Sequence, residues 1–558
     1  MPTLQFKGKT FVQNHHLAVK YHQLVPRNEL SLTDPALGGT GKISLHDNLI
    51  IQGDNLKALK ALLPTYAGKI KCIYIDPPYN TGNENWIYND NVNSPMIKEW
   101  LGKVVDKEDM TRHDKWLCLM MPRLKLLREL LSEDGAIFIS CDDNEQHNLR
   151  CLLDEVFGGQ NFIQNIIWQK KYSPQNDAKY FSDMHDFIIC YAKNKIDGEQ
   201  NTGWVINLLE RTNEMNDRYA NSDNDIRGVW MRSDLSVKTY SKEYDYEITT
   251  PLGLNIKPPR GRCWMTSKAR MQVLINDNRI WFGKNNDSIP ALKRFLSEVK
   301  QGITASSIWL RTEVGDNKDA RQTLKEIFIE EQLPFDTPKP VELLKRIIQL
   351  STKENDIILD SFAGSGTTAH AVLELNKEDG GNRKFILVEQ EEYANNITAE
   401  RVRRVIKGVK TSKNESLKNG LGGSFSYFEL GPTIEMESIL QGKNLPCYTE
   451  FARYIFYTAT GEEFNEKKIQ FLPPSGGDTE GGFGFIGETK NYELYMFYKP
   501  DLEWLKRNAL TLDAVKAMPE FKGKQRLVFA PAKYVDDETC RDNRIDFCQL
   551  PYEIYRIK

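Results

Sequence analysis

The sequence predicts an α/β protein organised around a mostly parallel β-sheet, and three observations lead to that prediction. A short apolar run at residues 48–52 is followed by a helical pattern and by a second apolar run at residues 70–75. Two strands joined through a helix form a parallel pair. A third buried run at residues 356–360 leads into a glycine-rich turn and another helix, which predicts a second half of the same sheet.

Length and composition restrict the class of protein. A chain of 558 residues is too long for one core and predicts two to four domains. With 40% hydrophobic and 27% charged residues, it has the composition of a globular protein. No run of eighteen apolar residues and no apolar leader is visible, so membrane insertion and secretion are disfavoured. The nine cysteines form no C-x-x-C pair, which argues against a structural zinc or a disulfide framework and favours the cytoplasm.

The first half of the sheet is expected within residues 46–199. Residues 1–45 show no lasting periodicity and are predicted to be an irregular arm. Asp54 follows the first strand and is a natural cap for the next helix. The strand at residues 70–75 must end at Asp76, because the two prolines after it cannot donate to a sheet ladder. Later elements are a helix and three strands, predicted at residues 113–131, 136–140, 161–169 and 186–192.

Residues 200–330 differ in character and are predicted to be a separate inserted domain. Aromatic residues alternate there with Arg and Lys, which suits contacts to phosphates and base edges. Its tryptophans can equally be core anchors of a small domain. The net charge of −3 requires any nucleic-acid contact to be local, and two basic stretches qualify, residues 257–270 and 401–418. Either stretch can equally be a solvated face.

The second half of the sheet is expected within residues 331–412. A helix begins at Pro340, and the strand at residues 356–360 precedes Gly364-x-Gly366-x-x-Ala369, which opens another helix. This is the nucleotide-binding turn of a Rossmann-like unit. Glu389 ends the following strand and is expected to accept both hydroxyls of a ribose. Taken alone, such a turn could equally bind NAD.

Several segments of the chain together resemble the β-class amino-group DNA methyltransferases. They are LIIQGDNLKAL, IDPPYNTG, GAIFISCDDNE, TPKPVELLKRI, DSFAGSGTTAHAV and ILVEQEEY. More narrowly, the chain is similar to the modification subunits of type III restriction–modification systems. That similarity is carried by WMTSKARMQVLINDNRIWFG, SSIWLRTEVGDNKDARQTLKEIF, YTATGEE and QLPYEIYR. The resemblance covers roughly residues 45–558.

The resemblance implies a Rossmann-like methyltransferase sheet, circularly permuted so that the catalytic half comes first. Residues 200–330 would then be the target-recognition domain, and residues 413–558 a C-terminal α+β extension for dimer or partner contacts. The implied cofactor is S-adenosyl-L-methionine, with no metal needed. Three features favour S-adenosyl-L-methionine over NAD. The acidic partner Glu389 is present, no set of residues for hydride transfer is visible, and the Asp-Pro-Pro-Tyr strand end needs a methyl donor opposite Asp76.

The Asp-Pro-Pro-Tyr motif explains the expected chemistry. An exocyclic base amine is a poor nucleophile, because its lone pair is delocalised into the ring. Asp76 and the Pro77 carbonyl can each accept one amine hydrogen, and Pro77-Pro78 holds that carbonyl in place. Tyr79 offers a face for an extruded base. In the family an Asp at this position goes with adenine N6 and a Ser with cytosine N4, and cytosine N4 remains the alternative. An ordinary strand end with a proline-rich turn is the other interpretation of these four residues.

The remaining site assignments follow from the resemblance. Lys339 is expected to hold the methionyl carboxylate or to be an exposed turn lysine, and Asp54 to contact the cofactor's adenine or only to cap its helix. The implied cofactor-binding residues are Asp54, Asp76, Lys339, Asp360, Phe362, Ala363, Gly364, Ser365, Gly366, Thr367, Thr368, Glu389 and Gln390. The candidate DNA contacts are Lys170, Lys171, Arg260, Arg262, Lys268 and Arg270.

The implied partners are duplex DNA, a second copy of the chain and a restriction subunit with helicase and nuclease activity. An alternative role is that of a DNA-recognition subunit that chiefly delivers such a nuclease. An RNA or protein amide methyltransferase is a third interpretation, disfavoured because the large insert suits the reading of duplex DNA.

Overall fold

The structure is a computed structural model that describes most of the chain. The described residues are 3–81, 111–174, 178–196, 202–300, 302–329, 335–434, 442, 444–473, 482–521 and 523–550. They form two compact units: residues 1–206 with 306–558, and residues 207–305. The smaller unit is shorter than the predicted insert at residues 200–330, because the segment after residue 305 packs with the larger unit.

The larger unit begins with short helices and then alternates strands and helices. Its elements up to residue 206 are α1 (Lys9–Val12), α2 (His15–Ala18), β1 (His22–Pro26), β2 (Leu49–Gln52), α3 (Asn55–Tyr66), β3 (Ile70–Ile75), α4 (Arg112–Leu130), β4 (Leu131–Cys141), α5 (Gln146–Leu153), β5 (Phe162–Gln169) and β6 (His185–Ala192). The strands predicted at residues 48–52, 70–75, 161–169 and 186–192 differ from these by at most one residue at either end.

The smaller unit consists of short strands around two helices. Its elements are α6 (Asn213–Asn216), β7 (Trp230–Ser233), β8 (Ser236–Val237), β9 (Ile248–Thr249), β10 (Asn255–Ile256), β11 (Cys263–Trp264), α7 (Lys268–Asn276), β12 (Ile280–Trp281) and β13 (Ala291–Phe295). Trp230, Trp264 and Trp281 are buried in its cores. These three tryptophans are therefore core residues of a small domain, which was the alternative to a role in contacting nucleic acid.

The larger unit resumes after residue 305. Its elements there are β14 (Ile308–Trp309), α8 (Arg311–Val314), α9 (Asn317–Ile327), α10 (Val341–Ser351), β15 (Ile357–Asp360), α11 (Thr367–Asp379), β16 (Lys384–Glu389), α12 (Glu400–Lys407), α13 (Glu415–Asn419), β17 (Ser426–Thr433), α14 (Tyr448–Thr460), β18 (Gln470–Phe471), β19 (Gly482–Glu488), β20 (Tyr492–Tyr498), α15 (Leu502–Arg507), α16 (Leu512–Lys516), β21 (Gln525–Ala530), α17 (Asp537–Asp542) and β22 (Ile545–Gln549).

One sheet organises the larger unit. In the described part of the chain its ten strands run in the order β1-β17-β2-β16-β15-β3-β4-β6-β5-β14. All neighbours from β17 to β4 are parallel, whereas β1 and β6 are antiparallel to theirs. The predicted α/β fold is confirmed, and β3 lies directly beside β15. The carboxyl ends of the two strands therefore meet at one edge of the sheet.

The central strands are buried on both faces, as their apolar composition predicts. Ile73 and Ile75 of β3 pack in one core with apolar residues of α3 and α4. Helix α10 also contacts β3 and β4. This packing places β3, and with it the start of the Asp-Pro-Pro-Tyr segment, in the middle of the sheet.

Both ends of the chain contribute to the main sheet, contrary to the predicted boundaries. Strand β1 lies within the arm predicted at residues 1–45 and pairs antiparallel with β17, which lies inside the predicted 413–558 extension. Strands β18 to β22 form a second, five-stranded sheet, with apolar clusters that include residues of α14 and α16. The C-terminal region is thus α+β, but its first strand belongs to the main sheet.

Among the described residues, none of the helices combines the length and the hydropathy needed to span a membrane.

Candidate active site

A single cavity lies at the carboxyl ends of β3 and β15. It has a volume of about 310 Å³ and is lined by residues from both halves of the sheet. Asp76, Pro77, Pro78 and Tyr79 contribute from the end of β3. The other half contributes Lys339, Asp360, Phe362, Ala363, Gly364, Ser365, Thr367 and Thr368. The structure thus brings the Asp-Pro-Pro-Tyr segment and the glycine turn into one cleft.

Both carboxylate oxygens of Asp76 have partners. The Tyr79 hydroxyl donates to Asp76 Oδ1 at 2.6 Å, and Lys339 Nζ pairs with Asp76 Oδ2. The same ammonium lies 5.3 Å from the centroid of the Tyr79 ring. Burial, reinforced by the Asp76 charge, raises the pKa of Tyr79 well above its ordinary value, so the phenol stays protonated and remains a donor. Lys339 was expected at the cofactor, and here it neutralises the carboxylate of the motif.

The two proline carbonyls differ in their surroundings. Trp116 of α4 donates from Nε1 to the Pro78 carbonyl at 2.7 Å. No described residue donates to the Pro77 carbonyl, although Pro77 lines the cavity. The turn is therefore held through Pro78, while within the described ranges the Pro77 carbonyl, which was assigned to the substrate amine, accepts from no protein group.

A buried carboxylate, Glu145, anchors the residue that follows the motif. Asn80 has a φ of 58°, in the left-handed region that Asn tolerates better than most residues. Its Nδ2 donates to Glu145 Oε1 at 2.5 Å, and His113 Nδ1 lies 2.7 Å from the same oxygen. Asn148 donates to Glu145 Oε2 at 2.8 Å. Sequence reasoning missed this network, and the available signal was a Glu just after a strand end and an Asn after Pro-Pro-Tyr.

The glycine turn depends on its two glycines. Gly364 and Gly366 have φ values of 52° and 78°, which L side chains rarely adopt. A Cβ at Gly366 would lie 3.0 Å from the Thr398 carbonyl oxygen, a tight contact that a side chain could make only if this backbone shifted. Glu389 is 2% exposed and accepts from the Gly364 amide at 2.7 Å. Gln390, the other predicted residue here, is exposed and donates to Glu391.

A buried arginine supports the turn from behind. Arg401 is 1% exposed and donates to Ser365 Oγ at 2.9 Å and to Thr367 Oγ1 at 2.7 Å. Burial lowers the pKa of Arg401 to about 9. The basic stretch 401–418 was a candidate nucleic-acid contact, and its first residue cannot serve that purpose because it lies inside the protein. Arg403 and Arg404 also have an acidic partner, Glu400.

Asp360 is a buried acid at the end of β15. The Thr368 hydroxyl donates to its Oδ2 at 2.5 Å and the Phe362 amide to its Oδ1 at 3.0 Å. Burial raises the pKa of Asp360 to about 7 despite these donors, with a smaller contribution from Asp76, and Lys339 acts in the opposite direction. The cofactor half of the cavity therefore holds an acid that titrates near neutral pH.

The two lysines predicted to contact DNA from the β5–β6 loop differ in their surroundings. Lys170 is buried and pairs with Asp183 at 2.6 Å and with Asp186 at 2.7 Å. A phosphate contact for Lys170 does not fit this geometry, because its charge is already neutralised inside the cavity wall. Lys171 is half-buried and also lines the cavity.

Three of the four predicted DNA contacts in the smaller unit are exposed to solvent. Arg260, Lys268 and Arg270 are exposed. Arg262 instead pairs with Asp234 at 2.8 Å and donates to the Ser236 carbonyl. Its charge is thus partly used within the unit.

Asp54 lies between Gly53, whose amide donates to the Glu389 carbonyl at 2.9 Å, and Asn55, whose Nδ2 donates to the Ser361 carbonyl at 3.2 Å. It caps α3 by accepting from the Lys57 amide at 3.0 Å, and it lies 3.6 Å from Arg123. It lines a different cavity, with Gln52, Lys57 and Glu429. The structure shows the cap, while a contact of Asp54 to the adenine of the cofactor stays a prediction.

Three curated relatives of this chain are modification subunits. The Mod subunit of the type III restriction-modification enzyme StyLTI from Salmonella typhimurium is 36% identical over 365 residues, which are 63% of this chain and 53% of that protein. The EcoP15I Mod subunit from Escherichia coli is 34% identical over 62% of this chain and 58% of that protein. The EcoPI Mod subunit from Escherichia phage P1 is 32% identical over 70% and 67%. The chain thus spans only somewhat more than half the length of the first two.

The solved structures that match are more distant. The M1.HpyAVI-SAM complex is 15% identical and covers 63% of this chain and 98% of its own, with a TM-score of 0.30. The PvuII DNA methyltransferase (cytosine-N4-specific) is 13% identical and covers 63% and 86%, with a TM-score of 0.32. Because both TM-scores are low, the fold is defined by the strand order and pairing of the main sheet.

A family model described as DNA methylase, of the N6/N4 class, matches residues 70–400. This range contains the Asp-Pro-Pro-Tyr segment, the smaller unit and the glycine turn, which together form most of the described architecture. The chain therefore belongs to the DNA methylase family.

Proposed function

We propose that this chain transfers a methyl group from S-adenosyl-L-methionine to the N6 amine of adenine in duplex DNA. The observation that carries the proposal is the shared cavity, which places Asp76 opposite the glycine turn although the two lie in separate halves of the sequence. Membership of the DNA methylase family supports the same reaction.

The charge of the cavity wall and its glycine turn suit the cofactor. Among the described residues, five aspartates and three lysines line it, so the wall is acidic overall. S-adenosyl-L-methionine carries a sulfonium, an ammonium and one carboxylate, and opposite charges attract across such a wall. The side-chain-free surface at Gly364 and Gly366 lets the backbone approach a ligand. Asp360 and the residues from Phe362 to Thr368 would hold the cofactor, with Glu389 directly behind the turn.

The bound cofactor would supply an electrophilic methyl group on its sulfonium. The protein's contribution is to orient the amine that attacks it. Asp76 accepts one hydrogen of the amine and the Pro77 carbonyl accepts the other. Because Lys339 pairs with Asp76 in this structure, the amine must displace the ammonium, and the methionyl carboxylate is the partner to which Lys339 would turn.

Tyr79 has two roles in this proposal. Its hydroxyl bond to Asp76 fixes the ring beside the carboxylate, and the ring then offers a stacking face to the extruded adenine. Methylation of the amine releases one proton. Asp76 is the group placed to take it, and the cavity is open for its transfer to water.

The choice of adenine is supported by Asp, rather than Ser, at position 76, and by the similarity to type III modification subunits. The family itself covers both N6 and N4 enzymes, so the nucleoside product decides between adenine and cytosine.

We also propose that the chain acts as the modification subunit of a type III-like system. Its partners would be duplex DNA, a second copy of the chain and a restriction subunit. The exposed basic residues Arg260, Lys268 and Arg270 are the proposed DNA contacts of the smaller unit. Light scattering of the purified chain tests the dimer, and co-purification with a helicase–nuclease partner tests the system. A monomer that binds no such partner would contradict this part of the proposal.

The activity is tested by expressing the chain in cells that lack DNA methylation and by mapping the modified bases. We expect N6-methyladenine at one recognition sequence, and no modification in cells that express Asp76→Asn. N4-methylcytosine at a defined site would assign the cytosine reaction instead. Unmodified DNA, from a chain shown to be folded and expressed, would contradict the proposal.

A further inference from the structure

The loop between β5 and β6 is tethered to the rim of the active-site cavity. Strands β5 and β6 are antiparallel neighbours, so the loop leaves the sheet and returns to it at one place. The Lys170 amide donates to the Met184 carbonyl at 3.0 Å, and the Lys170 ammonium holds Asp183 and Asp186. Lys170, Asp183 and Asp186 all line the cavity. Phe181 precedes Asp183 by two residues, so it is close in sequence to the cavity wall.

The loop carries three large aromatic side chains in water. Tyr172 is 68% exposed, Tyr180 is 84% exposed and Phe181 is 97% exposed. Phe181 is the most exposed large apolar side chain among the described residues of the larger unit. Single exposed apolar residues are ordinary, but a group of aromatic rings on one anchored loop indicates a contact surface.

Cations accompany these rings. The Arg311 guanidinium lies 4.1 Å from the centroid of the Tyr172 ring, and the Lys179 ammonium lies 5.6 Å from that of Tyr180. Lys171 adds a third cation at the base of the loop. Aromatic faces beside Lys and Arg suit a nucleic acid, which offers bases to stack on and phosphates to neutralise. Tyr172 already packs against Arg311, which leaves Tyr180 and Phe181 as the rings that face solvent.

We propose that Phe181, supported by Tyr180, inserts into the DNA duplex at the step vacated by the extruded target base. This inference depends on the proposed function, since it assumes that duplex DNA is the substrate. Extrusion of a base breaks its stacking with both neighbours, and an inserted apolar ring replaces part of what is lost. The loop lowers the energy of the extruded state, so Phe181 is a positioning residue that takes no part in methyl transfer.

The test compares the full-length wild-type chain with Phe181→Ala and with the double variant Tyr180→Ala, Phe181→Ala. Each is assayed on two duplexes that carry the recognition sequence found by base mapping. One duplex is fully paired, and the other has an abasic site opposite the target adenine, so that pairing no longer opposes extrusion. Tyr534→Ala is the matched control, because Tyr534 is 75% exposed and lies outside the cavity lining.

On the paired duplex we expect the single-turnover methylation rate of the variants to fall by about tenfold or more, in line with the loss of one stacked ring. On the abasic duplex we expect rates within about threefold of wild type, and Phe181→Trp should restore activity on the paired duplex. The control should match wild type on both. Equal loss on both duplexes, or no loss on either, would overturn the proposal.

A second readout separates this inference from the proposed function. A duplex with 2-aminopurine at the target position gains fluorescence when that base leaves the stack, and because this base lacks the 6-amino group the signal reports extrusion without methyl transfer. Wild type should raise the fluorescence and Phe181→Ala should raise it much less. A wild-type chain that extrudes the base without methylating DNA would refute the proposed reaction and leave the loop's role standing. Equal fluorescence in wild type and Phe181→Ala would refute the role of the loop.

Discussion

Replacing Asp76 with Asn tests the proposed chemistry most directly. Asparagine keeps the size of the side chain, and its carbonyl oxygen can still accept from the Tyr79 hydroxyl. The change removes the negative charge and puts an amide donor where Oδ2 now pairs with Lys339. The variant therefore isolates the contribution of the charge from that of the shape.

The magnitude follows from Coulomb's law. As the methyl group moves, positive charge develops on the amine nitrogen, close to the carboxylate. Two unit charges about 4 Å apart, at an effective dielectric constant of about 20, interact by about 4 kcal/mol. Loss of that stabilisation lowers the rate about 10³-fold, since about 1.4 kcal/mol corresponds to a factor of ten.

Stability should change much less than activity. The side chains of Asp76 and Lys339 are 23% and 10% exposed, so this ion pair is partly buried. Burial raises the pKa of Asp186 and of Asp360, and Lys339 lies close enough to both to offset part of that rise, so the ammonium keeps acidic neighbours in the variant. We expect a loss of about 1–2 kcal/mol in the free energy of unfolding, below the cost of stranding a fully buried charge.

The assay measures single-turnover methylation of a duplex that carries the mapped site, with cofactor binding followed by calorimetry. Asp143→Asn is the matched control, because Asp143 is exposed and does not line the cavity. The reasoning predicts a loss of about 10³-fold in rate for Asp76→Asn, with cofactor affinity within a few-fold of wild type and no effect in the control. A rate within tenfold of wild type would show that the charge at position 76 does not drive the reaction.

Three further changes probe the supporting residues. Lys339→Met should weaken cofactor binding by about tenfold or more, because it removes the point charge proposed to hold the methionyl carboxylate; an unchanged affinity by calorimetry would restrict Lys339 to its pairing with Asp76. Glu145→Gln replaces one acceptor oxygen of Glu145 with an NH₂ group, which then faces a donor of Asn80 or Asn148. An unsatisfied buried polar group of this kind destabilises the folded state by about 1–3 kcal/mol. We expect kcat to fall about tenfold or more with little change in the cofactor KM, since Asn80 would no longer hold the motif, and an unaltered kcat would contradict this role. Asp360 has a pKa of about 7 in the folded protein against 3.8 for a free side chain, so between those values only the folded state keeps its proton. Relative to Asp360→Asn, wild type should therefore lose up to about 4 kcal/mol of stability as the pH rises from about 4 to about 7; denaturant titrations that show a constant difference would contradict the buried acid.

The sequence alone determined the parts of the site that are contiguous in the chain. Asp76 to Tyr79 and Gly364 to Thr368 each follow a short apolar run with the composition of a buried strand, and the Pro and Gly residues of the turns indicate their backbone conformation. Because both runs belong to parallel strands, the pattern also predicted that their carboxyl ends share one edge of a sheet. Local patterns sufficed there, since strand, turn and side chain are encoded within about ten residues.

Tertiary structure decided everything that depends on partners distant in sequence. Lys339 could be read only as a turn lysine or a cofactor ligand, and packing made it the partner of Asp76. Arg401 belonged to a basic run that suggested a surface, yet α12 turns it inward to Ser365 and Thr367. Strands β1 and β17 pair with each other across most of the chain, which no local period reveals. Charge and hydropathy patterns record what a residue is, whereas its burial and its partner depend on which elements pack against it.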